Sequence, residues 1–154
     1  MALKSNSAAW DDQTPRDPLE HAVSVRDRDV LTMVRTALAT DNCQLAMQPV
    51  CTSKSGYPVA FYECLIRVMD ETGRVIPAAQ FMGEIEETSL GRDIDVASLK
   101  LAFRLLKQNP TTRLSVNVSA RSLGDAAWRR VLDSELASSA FHAARLILEI
   151  VSPS

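Results

Sequence analysis

Cysteine and histidine are scarce, and their placement excludes two classes of site. Cys43, Cys51 and Cys64 cannot all pair and lack the close spacing of metal-binding cysteines, so neither a disulfide framework nor a structural zinc site is expected. His21 and His142 stand far apart, with no cysteine or histidine at ligand spacing. This cysteine usage fits a reducing compartment, and a cytoplasmic location is expected. An excess of positive charge is also missing. Seventeen basic against nineteen acidic residues give a formal net charge of −2, which argues against sequence-independent binding of polymeric nucleic acid. No apolar run approaches the ~20 residues that cross a bilayer, so no membrane association is expected. Met1 to Gln13 carries one lysine and no apolar stretch, unlike a signal peptide.

What remains is ordinary for a globular domain: 46% hydrophobic and 23% charged residues over 154 positions, enough for one core. Residues 1–26 mix Ser, Asn, Asp, Pro and Arg without period and read as a flexible leader, in which Trp10 is an isolated aromatic. From Asp27 or Asp29, a helix to about Thr40 is predicted, with Val30, Val34 and Leu38 on one face. Asp41-Asn42 ends it. A strand over Gln44 to Val50 and another at Phe61 to Arg67 flank a turn at Gly56 and form an antiparallel hairpin. The turn's Thr52-Ser53-Lys54-Ser55-Gly56 lacks the spacing of a phosphate loop.

A second turn surrounds Gly73, and Pro77 is expected to open a helix with Phe81 and Ile85 inward. Gly91 is expected to break it. Asp93 begins another helix to about Gln108, with Ile94, Ala97, Leu101 and Leu105 inward, stopped by Asn109-Pro110. Arg113 to Ser119 reads as a strand, Asp125 to Ala137 as a helix with Trp128, Val131, Leu132 and Leu136 as its stripe, and Arg145 to Val151 as the last strand. Strands alternating with helices predict an α/β fold. It reads as a partial (β/α) barrel of the TIM type, about four strands with an antiparallel opening hairpin, where a closed barrel needs eight.

Three of these strands carry an oxygen donor out of pattern. Side chains alternate along a strand, so Phe61, Glu63, Leu65 and Arg67 share one face, and Ser115, Asn117 and Ser119 share another. Glu149 lies on the Ile147 face of the last strand. A carboxylate and a guanidinium on one face of a buried strand are costly unless that face lines a site. A lone strand asparagine is usually a satisfied hydrogen-bonder. Glu63, Asn117 and Glu149 together, as two carboxylates and an amide carbonyl on neighbouring strands, suit a hard divalent cation such as magnesium or manganese.

The run Glu63-Cys64-Leu65-Ile66-Arg67 resembles the Glu-Ala-Leu-x-Arg signature of the EAL domain, the bacterial cyclic-di-GMP phosphodiesterase family. Four further stretches are similar to that family in the same order: Gln48-Pro49; Pro77, Phe81, Glu86-Glu87-Thr88 and Asp95; Val116-Asn117-Val118-Ser119; and Leu148-Glu149-Ile150. The resemblance implies that residues 27–154 form the N-terminal half of an EAL-like domain. It implies Glu63, Asn117 and Glu149 as ligands of Mg2+ or Mn2+, with Gln48, Pro49, Leu65 and Arg67 against the dinucleotide. The activity it implies is metal-dependent hydrolysis of cyclic-di-GMP to the linear dinucleotide.

Departures from the pattern bear on that activity. Ser152 stands where the family has a second glutamate, and Gly83, Glu84 and Ser89 replace a proline, an apolar residue and a glycine. The family's paired aspartates, catalytic lysine, later glutamate and final glutamine would lie beyond Ser154. Two-metal hydrolysis uses both ions to activate water and to stabilise the leaving oxygen. The expectation is therefore a weak or absent single metal site and lost hydrolysis. The alternatives are a non-catalytic cyclic-di-GMP receptor, a protein-interaction module, or a piece of a longer EAL protein. The open sheet edge of a half barrel adds an expectation of self-association about a two-fold axis.

Overall fold

The computed structural model describes residues 18–138 and 140–151, so the leader through Asp17, Trp10, and Ser152 to Ser154 lie outside the described residues. Helix α1 runs Pro18–Ala39. It starts well ahead of the caps expected at Asp27 or Asp29. Pro18 occupies the first helical position, where a missing N–H leaves nothing unsatisfied and a fixed φ suits the helix. The end falls as predicted: Asp41 takes a positive φ of 55°, which a short polar side chain tolerates, and the Asn42 N–H donates back to the Ala37 carbonyl at 2.8 Å.

Strands β1 (Cys43–Cys51) and β2 (Val59–Met69) form the expected antiparallel hairpin. Its turn needs Gly56 at φ 85°, a conformation free of steric cost without a Cβ. A short strand β3 (Val75–Pro77) pairs antiparallel with Arg67 to Met69. Pro77 thus closes a strand instead of opening a helix. A 3-10 turn over Ala78–Gln80 follows it and leads into the single-turn α2 (Met82–Ile85). Phe81 and Ile85 are buried as expected.

Helix α3 spans Ser89–Gln108, capped by the Thr88 hydroxyl accepting from the Leu90 N–H at 3.2 Å. Gly91 lies inside it and breaks nothing. A Cβ there would meet the Ile85 and Glu86 carbonyl oxygens at 2.8 and 2.9 Å. Glycine is present because the preceding loop packs against the helix backbone. The buried stripe of α3 also differs from expectation. Ile94 is inward, but Ser98, Leu99, Ala102, Phe103 and Leu106 continue it, while Ala97, Leu101 and Leu105 are half-buried.

After β4 (Leu114–Ser119) come the short α4 (Ala120–Leu123), α5 (Ala126–Ser138), the short α6 (Ala140–Ala143) and β5 (Leu146–Val151). Asp125 caps α5, accepting from the N–H groups of Ala127 and Trp128 at 2.8 and 3.1 Å. Those bonds to the ionised carboxylate hold its pKa below the usual carboxylate value. The five-stranded sheet has the order β1-β2-β4-β5, with β3 beside the end of β2. β2, β4 and β5 are mutually parallel.

One face of the sheet carries Cys64, Val116 and Val118 against Leu99, Phe103 and Trp128 of the helical layer. Burying each of the larger apolar side chains stabilises the fold by roughly 1.5–3 kcal/mol. Beyond it, Ile66, Val68 and Ile76 pack with Val34, Phe81 and Ile85. Arg145 is buried behind this layer, and its guanidinium donates to the carbonyls of Leu106, Asn109 and Thr112 at 2.9, 2.7 and 3.1 Å. It thereby satisfies the Leu106 carbonyl in the last turn of α3, whose intrahelical partner would be Pro110, and ties the loop that follows to the helix end. Among the described residues no helix covers the other face of the sheet, and the candidate site lies there.

Candidate functional site

Strand alternation and register place the oxygen donors together. Glu63 stands level with Ser115 of β4, and Asn117, two residues further along, stands level with Glu149 of β5. Parallel neighbours at one level point the same way, so Glu63, Asn117 and Glu149 share the open face. Asn117 and Glu149 sit on adjacent strands about 4.8 Å apart, and Glu63 lies about 7 Å further back along its own strand. Its side chain closes that gap: Asn117 Nδ2 donates to Glu63 Oε1 at 3.3 Å. All three residues are half-buried.

Among the residues expected against a dinucleotide, Leu65 and Arg67 follow Glu63 on the same face of β2, and Gln48 pairs with Glu63 from β1. Pro49 pairs with Tyr62 instead and lies on the opposite face. The register therefore gathers six of the seven expected site residues on one side. The Arg67 guanidinium donates to the Ile66 carbonyl at 2.9 Å, which turns it back along its own strand.

Ser115 is fully buried beneath this group, and its hydroxyl has no hydrogen-bond partner. An unpartnered polar atom in such a place is unusual. The donor set of two carboxylates and one amide fits a hard divalent cation. A cation would take the amide oxygen, so Asn117 would turn Oδ1 toward it and release Glu63. Among the described residues, no three His, Cys, Asp or Glu side chains are placed to hold a metal ion. A cation here therefore depends on the amide. Cys64 points to the opposite face. Burial first, and the Glu63 carboxylate second, push its thiol up to about 11, so it is no nucleophile for this site.

A cavity of about 460 Å³ adjoins Asn117 toward the C-terminal ends of the strands, with Leu65, Asp95, Ser119, Glu87 and Arg121 among its walls. Asp95, buried on α3, accepts from the Ser119 N–H and hydroxyl at 3.0 and 2.9 Å and so fixes the end of β4. The Ser119 hydroxyl in turn accepts from the Ser122 N–H at 3.1 Å, capping α4. Arg121 pairs with Glu87 across the rim. Sequence reasoning passed over Arg121 and gave Asp95 no role. The available signal was position: residues just beyond the C-terminal end of a barrel strand form the loops that carry active sites.

An open, mixed sheet with three parallel strands after an antiparallel first hairpin, helices on one face and oxygen donors on the other, is part of a TIM-type (β/α) barrel. The chain belongs to the EAL domain family, whose model matches residues 31–154. Among solved structures it is similar to the FimX EAL domain of Xanthomonas citri in complex with c-diGMP. That match has 25% identity and a TM-score of 0.70, covering 84% of this chain and 51% of that one. It is also similar to the FimX EAL domain of Pseudomonas aeruginosa bound to c-di-GMP, at 28% identity and a TM-score of 0.64, over 79% and 50% of the two chains. The PaMucR phosphodiesterase in its c-di-GMP complex matches at 25% identity and a TM-score of 0.64, over 78% and 50%. The chain thus spans about half the length of these three structures. Comparison with curated proteins gives no match. Among the described residues, no helix is long and apolar enough to cross a membrane.

Proposed function

We propose that residues 27–154 act as the N-terminal half of an EAL-type site that binds cyclic-di-GMP without hydrolysing it. In this reading Glu63, Asn117 and Glu149 hold a single Mg2+ or Mn2+ weakly, and Gln48, Leu65 and Arg67 contact the dinucleotide. The cation would supply positive charge to a phosphate oxygen. Arg67 would add a planar donor fork of the kind that binds phosphate in two places. Pro49, facing away, drops out of the contact set. The cavity beside Asn117 provides an apolar wall at Leu65 and polar groups at its rim, the usual composition of a small-molecule site.

The observation that carries this reading is the Glu63–Asn117 contact with Glu149 next in register. Complexes of similar solved structures with c-di-GMP support the choice of ligand. Absence of hydrolysis is proposed for this segment taken by itself: its one donor set supplies one clamp, whereas in-line displacement between two metals uses two. Titration calorimetry with cyclic-di-GMP and Mn2+ tests it, alongside chromatography for the linear product. Saturable binding, at least tenfold weaker in Arg67→Ala, with no linear dinucleotide, is expected. Linear product would overturn the loss of hydrolysis, and absence of binding heat would favour an interaction module.

A second reading concerns the sheet edge. Ile150 and Val151 on β5 are 63% and 43% exposed, and among the described residues β5 has one neighbouring strand, β4. Unpaired strand edges template pairing with another chain. Two copies joined at β5 about a two-fold axis would sediment as a dimer at micromolar concentration. A compact monomer would remove this reading.

A further inference from the structure

Helices α3 and α5 lie side by side and are tied at both ends by ion pairs. Arg92 Nε lies 3.8 Å from Asp125 Oδ2 at one end, and Lys107 Nζ lies 2.6 Å from Glu135 Oε2 at the other. Between these ties the helices part into an open groove of about 800 Å³. Its floor is Val96 of α3 and Val131 of α5, both half-buried. Its walls carry Lys100 and Arg104 on one side and Arg130 on the other. Arg104 reaches Asp41 at 3.9 Å, with both side chains largely exposed, a contact of little strength. Among the described residues, Lys100 and Arg130 have no ion-pair partner within 4.0 Å.

We propose that this groove is a docking site for an acidic amphipathic helix of a partner protein. Val96 and Val131, one from each helix, give an apolar floor for the apolar stripe of an incoming helix. Cations on both walls match acidic residues flanking that stripe on either side. The ties lie ten residues apart on the α5 side (Asp125 to Glu135) and fifteen on the α3 side (Arg92 to Lys107), which at about 1.5 Å each leaves room for roughly three to four turns. The chain as a whole carries a net charge of −2, so this local excess of positive charge runs against its overall balance. An apolar floor and an acidic whole disfavour nucleic acid as the occupant. The groove lies on the helical layer, on the far side from Glu63, Asn117 and Glu149. Both can be occupied together, and the proposal stands apart from the nucleotide reading.

The test is fluorescence polarisation with the full chain and a labelled four-turn synthetic helix bearing a leucine stripe and glutamate flanks. A lysine-flanked twin and a random DNA oligonucleotide serve as competing probes. The glutamate helix is expected to bind saturably, to weaken as salt rises, and to lose at least tenfold in K100E/R130E. The milder K100Q/R130Q should lose an intermediate amount with the helical circular dichroism unchanged. Lys54→Glu, on the distant hairpin turn, should bind as the parent does. No saturable binding by the parent, undiminished binding by the double variants, or preference for the lysine helix or the oligonucleotide would overturn the proposal.

Discussion

Asn117 Nδ2 donates to Glu63 Oε1 at 3.3 Å, joining two parallel strands across 54 residues of sequence. The contact shows that the out-of-pattern polar residues of β2 and β4 reach one point on the uncovered face. Glu149 stands beside Asn117 in the next strand. Polar groups brought together on a half-buried surface are held for a purpose or tolerated at a cost, and variants distinguish the two.

Gly91→Ala tests whether the loop-to-helix approach is as tight as its geometry. In an exposed helix this change would gain about 1 kcal/mol of propensity. Here the added Cβ meets two backbone carbonyls below 3.0 Å, and neither is a flexible side-chain end. Overpacking of this kind costs typically about 1–3 kcal/mol. The expected net is a destabilisation of up to about 2 kcal/mol in urea denaturation, and stabilisation would show that the loop yields freely.

Arg145→Leu keeps an apolar stem and removes the donors that reach the Leu106, Asn109 and Thr112 carbonyls. Hydrogen bonds from charged donors contribute more than neutral ones, but two of these carbonyls lie near the surface and can turn to water. A loss of about 2–3 kcal/mol is expected, read from the same denaturation experiment, with faster amide exchange over the last turn of α3.

These two positions show how much the residues alone disclosed. The alternation in β2 and β4 was legible because period two is strict, and it placed Glu63, Leu65, Arg67, Ser115 and Asn117 correctly on their faces. The three-residue β3 was too short to show any period, so Pro77 read as a helix start. In α3, apolar residues at Ala97, Leu101 and Leu105 competed with the true stripe, and packing against the sheet decided between them. Gly91 read as a breaker because glycine's role there depends on a neighbouring backbone. Arg121 and the pairing of Asp95 with Ser119 depend on tertiary contacts that no local pattern announces.

Acid titration of stability has an expected signature at Asp70. Its half-buried carboxyl is held down to about 2, first by the Thr72 hydroxyl and further by donors of Arg74 and the Thr72 N–H. A depressed folded-state pKa gives stability that is complete above the unfolded value near 4 and is lost as pH falls toward about 2. Asp70→Asn should flatten that part of the stability curve and leave the curve above pH 5 parallel to the parent's.

Thiol reactivity should follow exposure and charge. Cys51 is exposed, Cys43 is half-buried with burial and Asp41 raising its pKa, and Cys64 is buried with its thiol at about 11. A chromogenic disulfide reagent at pH 8 is expected to react with Cys51 first, Cys43 next, and Cys64 only on unfolding. Early modification of Cys64 would mean that β2 opens readily.

Manganese binding followed by electron paramagnetic resonance addresses the gathering of Glu63, Asn117 and Glu149 most directly. One weak Mn2+ per chain is expected, weakened at least tenfold in Asn117→Ala and in Glu149→Gln, each with an unchanged thermal transition. Binding that is indifferent to both substitutions, or no bound Mn2+ at millimolar metal, would contradict a shared cation site on this face.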